Sequence, residues 1–381
     1  RNAMFDLQNF TCFHAQQFKN IDRLDRCYDV IVAKVGYEFE IDPASGRAEL
    51  RFAEPPPLTF GDTFYGEPSQ SSVRLESDFS LYKPKVDFVV NATAYAPDDK
   101  AVPQFPVSVE IGDYKKVLAV TGPRYWKREA VGWTLDEPSA ISSLPIRYEY
   151  AFGGGEVEDG HCGYQDNPIG IGYYPKAFLR KHSSARTLDA HQIYDPAHPV
   201  RQPEERGMPQ GFGFFPRYGA ERAQYIGTAD EKWAAERAPL LPHDFSNAYW
   251  NGAHPSLQLP HFKPNHIYEL GFSGLVPSHL APRQHFTISL PVETVFVSIL
   301  TARNQSLCKD LLLDTILVDV EQRSIACTYR TSFPEELEIE ACQLRFIARH
   351  ERGAQIELAQ IRNPQTYIPL PPSLAGMEQP R

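Results

Sequence analysis

The sequence predicts a mainly β protein: antiparallel sheets in a sandwich or barrel-like arrangement, with long irregular loops and a few short helices. Three observations carry this. Between Ser77 and Gly155 the apolar runs VDFVVNATAY, VSVEI and KVLAVTG are separated by Pro-Asp-Asp, Pro and Gly-Asp, the pattern of short strands joined by tight turns. The 33 prolines are scattered without a repeat, which disfavours long helices and suits loop-rich β architecture. After Lys263, IYELGFSG, FTISLPVE, VFVSILTA and DLLLDTILVDVE read as consecutive strands.

In chain order, Arg1, Asn2 and Ala3 precede Met4 and read as an expression scar, residues 1–3. An N-terminal β lobe is expected over 4–155. Within it YDVIVAKVGYEFEI, the turn-rich DPASGR and AELRFA form a hairpin over 28–53, and Gly112-Asp113 closes a second one. PPPLTF and GDTFYGEP are loop or edge strand, because proline cannot donate to a central ladder. SDFSLYKP is one helical turn or an irregular link, with Asp78, Lys83 and Asp87 converging as salt bridges and turn caps.

An irregular, loop-rich middle follows over 156–263. HCGYQDNPIGIGYYP and GMPQGFGFFPRYG are dense in glycine, proline and aromatics, and a segment this long without regular periodicity is often functional. TADEKWAAER is the expected short helix, with Thr228 and Glu231 as its capping box, Trp233 as its core anchor and Pro239 beyond its end. A C-terminal β lobe spans 264–350. Residues 351–381 are a strand end and a polar, proline-rich tail. The two lobes are expected to form one interlocked domain.

A net charge of −10 disfavours nucleic acid or an anionic membrane as partner, and no apolar run reaches the ~18–20 residues of a membrane span. RNAMFDLQNF has no signal-peptide core. Six widely spaced cysteines without a CxxC read as buried reduced thiols, and a cytoplasmic location is expected.

Catalytic chemistry is thinly represented. Gly170 and Gly172, and the run FGGGE at 152–156, lack the following helix that aims amides at a phosphate, so both read as turns. His243, Asp244, Asn251 and His254 form one modest polar cluster, and His161-Cys162 is isolated; no metal or cofactor is expected. GFSGL is the nearest approach to a nucleophile elbow. Asp78, Glu110 and Glu149 are possible members of a carboxylate pair, drawn from 48 acidic residues without further support. In GPRYW, the trio Arg124, Tyr125 and Trp126 has the residue types of an interface hot spot, and equally those of an Arg stacked on a ring at a strand end.

SDFSLYKPKVDFVVNATAYAP, VLAVTGPRYW, LPIRYEYAFGG, NPIGIGYY, GTADEKWAAERAPLLPHDF and LDTILVDVEQRSIACTYR occur in series over roughly residues 20 to 335. Together they resemble the bacterial domain-of-unknown-function family 2169. The resemblance implies a non-catalytic adaptor or chaperone, associated with type VI secretion clusters, that binds a secreted toxin effector and helps load it onto the spike protein. It brings no catalytic residue with it. Partner contact is expected either by strand addition to an exposed sheet edge or in an aromatic groove of the 161–219 loops. The residues named for partner binding are Arg124, Tyr125, Trp126, Phe212, Phe214, Phe215 and Tyr218. The alternatives are a carbohydrate-active or other hydrolase on a β-sandwich, and a structural phage-tail-like component.

Overall fold

The computed structural model describes residues 5–154, 163–217 and 219–347. The expected scar, His161-Cys162, Tyr218 and the tail therefore lie outside the described residues.

The fold is built around the strand Cys27–Ile41, buried without interruption from Tyr28 to Tyr37. Its run of Val, Ile and Ala faces other protein on both sides, as a central strand requires. One edge pairs antiparallel with Ser324–Pro334, from Tyr28↔Pro334 to Glu38↔Ser324. The other edge is shared. His14–Ile21 pairs with Cys27–Lys34, and Arg47–Ala53 takes over from Gly36. At this handover the chain crosses so closely that a Cβ on Gly36 would lie 2.5 Å from Pro55 Cα.

A twelve-stranded mixed sheet extends from this centre. On one side Ser324–Pro334 pairs with Leu312–Asp319, and that strand runs parallel to Val86–Asn91. On the other side Arg47–Ala53 makes a short parallel contact with His285–Val292. His266–Ser273 and the hairpin Gln104–Ile111/Tyr114–Thr121 follow. Strands from the two halves of the chain thus alternate in one sheet. A second sheet orders Asp6–Asn9, Ile339–Ile347, Thr294–Thr301 and Ser306–Asp310. Val295, Val297, Ile299 and Leu344 share a continuous apolar core with Ile31, Ala33 and Val35 of the large sheet, which gives the sandwich-like layering.

The expected hairpins form at the expected turns. Gly112 takes φ +55°, the left-handed conformation a tight hairpin turn needs. SDFSLYKP is an irregular link. The short helix starts later than its capping box indicated, at Glu231. Asp244 engages Thr228 through both N and Oγ1, so the cap falls to Asp230, which accepts from Trp233 N at 2.8 Å. Trp233 is half-buried outside the core, held by its Nε1 on the Leu240 carbonyl. Of the described cysteines, Cys308, Cys327 and Cys342 are buried, whereas Cys12 is exposed and Cys27 partly so.

Candidate functional site

The irregular link from Ser77 to Lys85 lays Asp78 and Lys83 against the large sheet, and each finds a different buried partner. Asp78 accepts from Lys34 Nζ at 2.6 Å and from the Thr59 amide at 2.7 Å. Lys83 donates to Asp87 Oδ2 and to Thr315 Oγ1, both at 2.9 Å. Asp87 also accepts from the Gly252 and Ala253 amides and from Asn251 Nδ2. Arg330 binds Asp314 through Nε at 2.7 Å and the Ser80 carbonyl through Nη1 at 2.8 Å. A neighbouring group joins Glu76 to Arg222 and Asp62 to Arg217, with Arg217 3.5 Å from Glu76.

Burial in low dielectric disfavours charge, and for Lys83 and Glu76 the partners outweigh that cost. For Lys83, burial works against the ammonium, but the carboxylates of Asp87, Asp314 and Glu76 raise its pKa above the ordinary value. For Glu76, burial favours the neutral acid, and Arg222 and Arg217 overcome it to hold the carboxyl below its usual range. Lys83 and Glu76 are therefore both held in their charged forms.

A second polar group lies around Lys116. Its ammonium reaches Gln210 Oε1 at 2.7 Å, Ser256 Oγ at 3.1 Å and the His254 ring, and among the described residues no carboxylate is in contact with it. Burial pushes its pKa down to about 8. His254 and the buried His191 are held well below the usual imidazole range, by burial first and by Lys116 and Arg124 respectively second.

The sequence-predicted partner residues are placed differently from expectation. Phe212, Phe214 and Phe215 are core residues at 0, 4 and 0% exposure. Phe215 meets the edges of Tyr148 and His254. Their side chains are buried because the loop that carries them dips under the sheet: Phe215 N donates to Gly252 O, and Val90 N donates to Phe212 O. Trp126 is fully buried with Nε1 on the Gly172 carbonyl. Arg124 is buried, donates to the His191 carbonyl and lies 4.7 Å over the Tyr194 ring. Tyr125 alone of that trio is exposed, at 41%.

The polar cluster read from His243, Asp244, Asn251 and His254 does not converge. Asp244 binds Thr228, Asn251 binds Asp87, His254 contacts Lys116 and His243 the Arg23 carbonyl. Among the described residues no group of three or more His, Cys, Asp or Glu is placed to hold a metal. Asp78, Glu110 and Glu149 have separate partners in Lys34, Lys115 and Ser72. Ser273 Oγ of GFSGL lies 2.9 Å from His285 Nδ1 across an exposed strand pair, and among the described residues no carboxylate orients that ring. The two glycine clusters meet each other: Phe152–Gly153 pairs with Ile171–Gly172, so closely that a Cβ on Gly154 would stand 2.0 Å from the Gly170 carbonyl oxygen.

The open surface that sequence reasoning did not localise is the strand His14–Ile21. It pairs with Cys27–Ile41 on one side, and among the described residues its other edge pairs with no strand. Beside it Phe18, Phe79 and Phe60 form an aromatic ladder at 4.8 and 4.3 Å between centroids, ending in Phe60 at 70% exposure. HAQQFKNI carries no regular apolar alternation, and nothing in it marks an edge strand.

These features define a mixed-sheet β protein whose charged motif residues are engaged in folding contacts. The chain belongs to DUF2169, a family of uncharacterized proteins conserved in bacteria, whose model matches residues 26–330. No curated protein and no solved structure matches it.

Proposed function

We propose that this protein is a non-catalytic adaptor that binds a type VI secretion effector and helps load it onto the spike protein. The reading rests on the family resemblance, and the observation that carries it structurally is the open edge of His14–Ile21 beside the Phe18–Phe79–Phe60 ladder. An unpaired edge offers backbone donors and acceptors to an extended segment, and flanking aromatics give apolar contact that fixes its position. The motif residues Asp78, Lys83 and Asp87 serve this reading by holding the sheet that presents the edge. Affinity purification of the tagged protein from its own host, followed by mass spectrometry, tests it. Recovery of a toxin-like protein and a spike protein in comparable amounts supports the adaptor; recovery of the protein alone, with the secretion genes expressed, overturns it.

A further inference from the structure

A polar cleft of about 220 Å³ lies where the parallel strands Val86–Asn91 and Leu312–Asp319 end side by side, Asn91 opposite Asp319. The turn that follows adds Glu321 to its lining, and Tyr65, Arg74 and Arg147 face it as well. Unlike the charges of the buried network, these are open to water. Arg74 has 41% and Asp319 16% of its side chain exposed, Glu321 is exposed, and Tyr65 and Arg147 are half-buried.

The charges of the cleft are incompletely matched. Arg147 lays its guanidinium 3.9 Å over the Tyr65 ring, and among the described residues it has neither a hydrogen bond nor an ion pair. The Tyr65 hydroxyl makes no hydrogen bond among them either. Arg74 stands 3.8 Å from Asp319, too far for a hydrogen bond. Burial accordingly holds the Asp319 carboxyl above its usual range, and the Gln322 amide and Arg74 offset it only in part. Glu321 accepts from Thr93 through Oε1, which leaves Oε2 open. All four charges act on one group, the Tyr65 phenol: burial, then Asp319 and Glu321, push its pKa up to about 12, while Arg147 and Arg74 oppose them.

We propose that this cleft binds a free α-amino acid as its zwitterion, Arg147 and the Tyr65 hydroxyl donating to the carboxylate and Asp319 and Glu321 accepting from the ammonium. Charge sets the class. With two guanidiniums and two carboxylates in the lining, a lone anion or a lone cation is attracted by one pair and repelled by the other, whereas a zwitterion gains from both. Size agrees, since the cleft is smaller than the about 300 Å³ at which drug-sized sites begin. Arg147 also covers a face of Tyr65, which removes apolar surface on which a sugar ring would stack. The inference is independent of the adaptor reading.

Calorimetric titration of the full chain at neutral pH tests it, with L-alanine, L-serine, L-glutamine, propionate, propylamine and D-glucose added separately. Saturable binding of at least one amino acid is expected, about tenfold tighter than that of propionate or propylamine, each of which lacks one of the two charges. Arg147→Met gives up only the contact with the Tyr65 ring, so it should keep an unfolding midpoint close to wild type and bind the amino acid about tenfold more weakly. Glu321→Gln retains an oxygen for Thr93 and probes the ammonium end, where a severalfold loss is expected. No saturable binding of any amino acid, binding of propionate, propylamine or glucose as tight as that of the amino acid, or wild-type affinity in either variant overturns the proposal.

Discussion

Lys83 and Asp87, four residues apart, meet at 2.9 Å with 5 and 0% of their side chains exposed. The contact closes the irregular link onto the first residues of strand Val86–Asn91, and Asp87 simultaneously receives the Gly252 and Ala253 amides. One carboxylate therefore ties the N-terminal half of the sheet to the loop before His266–Ser273.

Breaking this tie from either side is predicted to be costly and strongly non-additive. Asp87→Ala strands a buried ammonium and two amides, and should cost about 3–5 kcal/mol in urea unfolding. Lys83→Met in the Asp87→Asn background should cost clearly less than the sum of the two single changes, because the second substitution removes a charge already unpaired. Additive losses would show that the two residues act separately.

Lys116 makes the opposite case, a buried cation with no carboxylate in contact among the described residues. With its folded pKa near 8 and an ordinary value of 10.5, the unfolded chain holds more protons between those limits. Stability should therefore rise with pH across that window, by up to ~1.4 kcal/mol per unit. Lys116→Met should flatten this rise. Parallel denaturation curves at pH 8 and pH 10 for both proteins decide it, and an identical pH difference in the two would refute it.

The buried imidazoles set the acid limit. Because His191 and His254 are held below the usual 6.5, the unfolded chain takes up protons first as the pH falls through that value. Stability is then lost on acidification. His191 sits among Phe152, Trp126 and Tyr194 rings, and among the described residues neither of its nitrogens has a hydrogen-bond partner. His191→Phe should consequently be neutral or stabilising at pH 7 and should shallow the loss of melting temperature between pH 6.5 and 5. A variant that is destabilised at pH 7 and keeps the wild-type acid slope would count against this account.

Strand positions were legible where alternation and turn residues coincide, as in the hairpin around Gly112-Asp113. Pairing was not, because partners such as Val86–Asn91 and Leu312–Asp319 lie more than two hundred residues apart and no local pattern encodes a parallel neighbour. The charges of SDFSLYKPKVDF were visible, and their role as salt bridges was readable, but their partners Lys34 and Thr315 are distant in sequence. FGFFPRY misled for a related reason. An aromatic run between glycines is compatible with an exposed patch and with a loop plunging into the core, and the Gly252 and Val90 backbone contacts that decide between them are remote.

That misreading sharpens the prediction about partner capture. Phe215→Ser should cost at least about 3–5 kcal/mol, as truncation of a buried phenylalanine does, so any loss of capture it causes would report unfolding. Phe60 is different. It is 70% exposed and stacks on Phe79 at 4.3 Å, so Phe60→Ser should leave the unfolding midpoint nearly unchanged. If an effector strand docks along His14–Ile21 against this ladder, Phe60→Ser should still reduce recovery of the toxin-like protein in affinity purification by roughly tenfold, the size expected of an aromatic hot spot. Wild-type recovery from this fully folded variant would remove the ladder from the interface and leave the contact to be sought on another face.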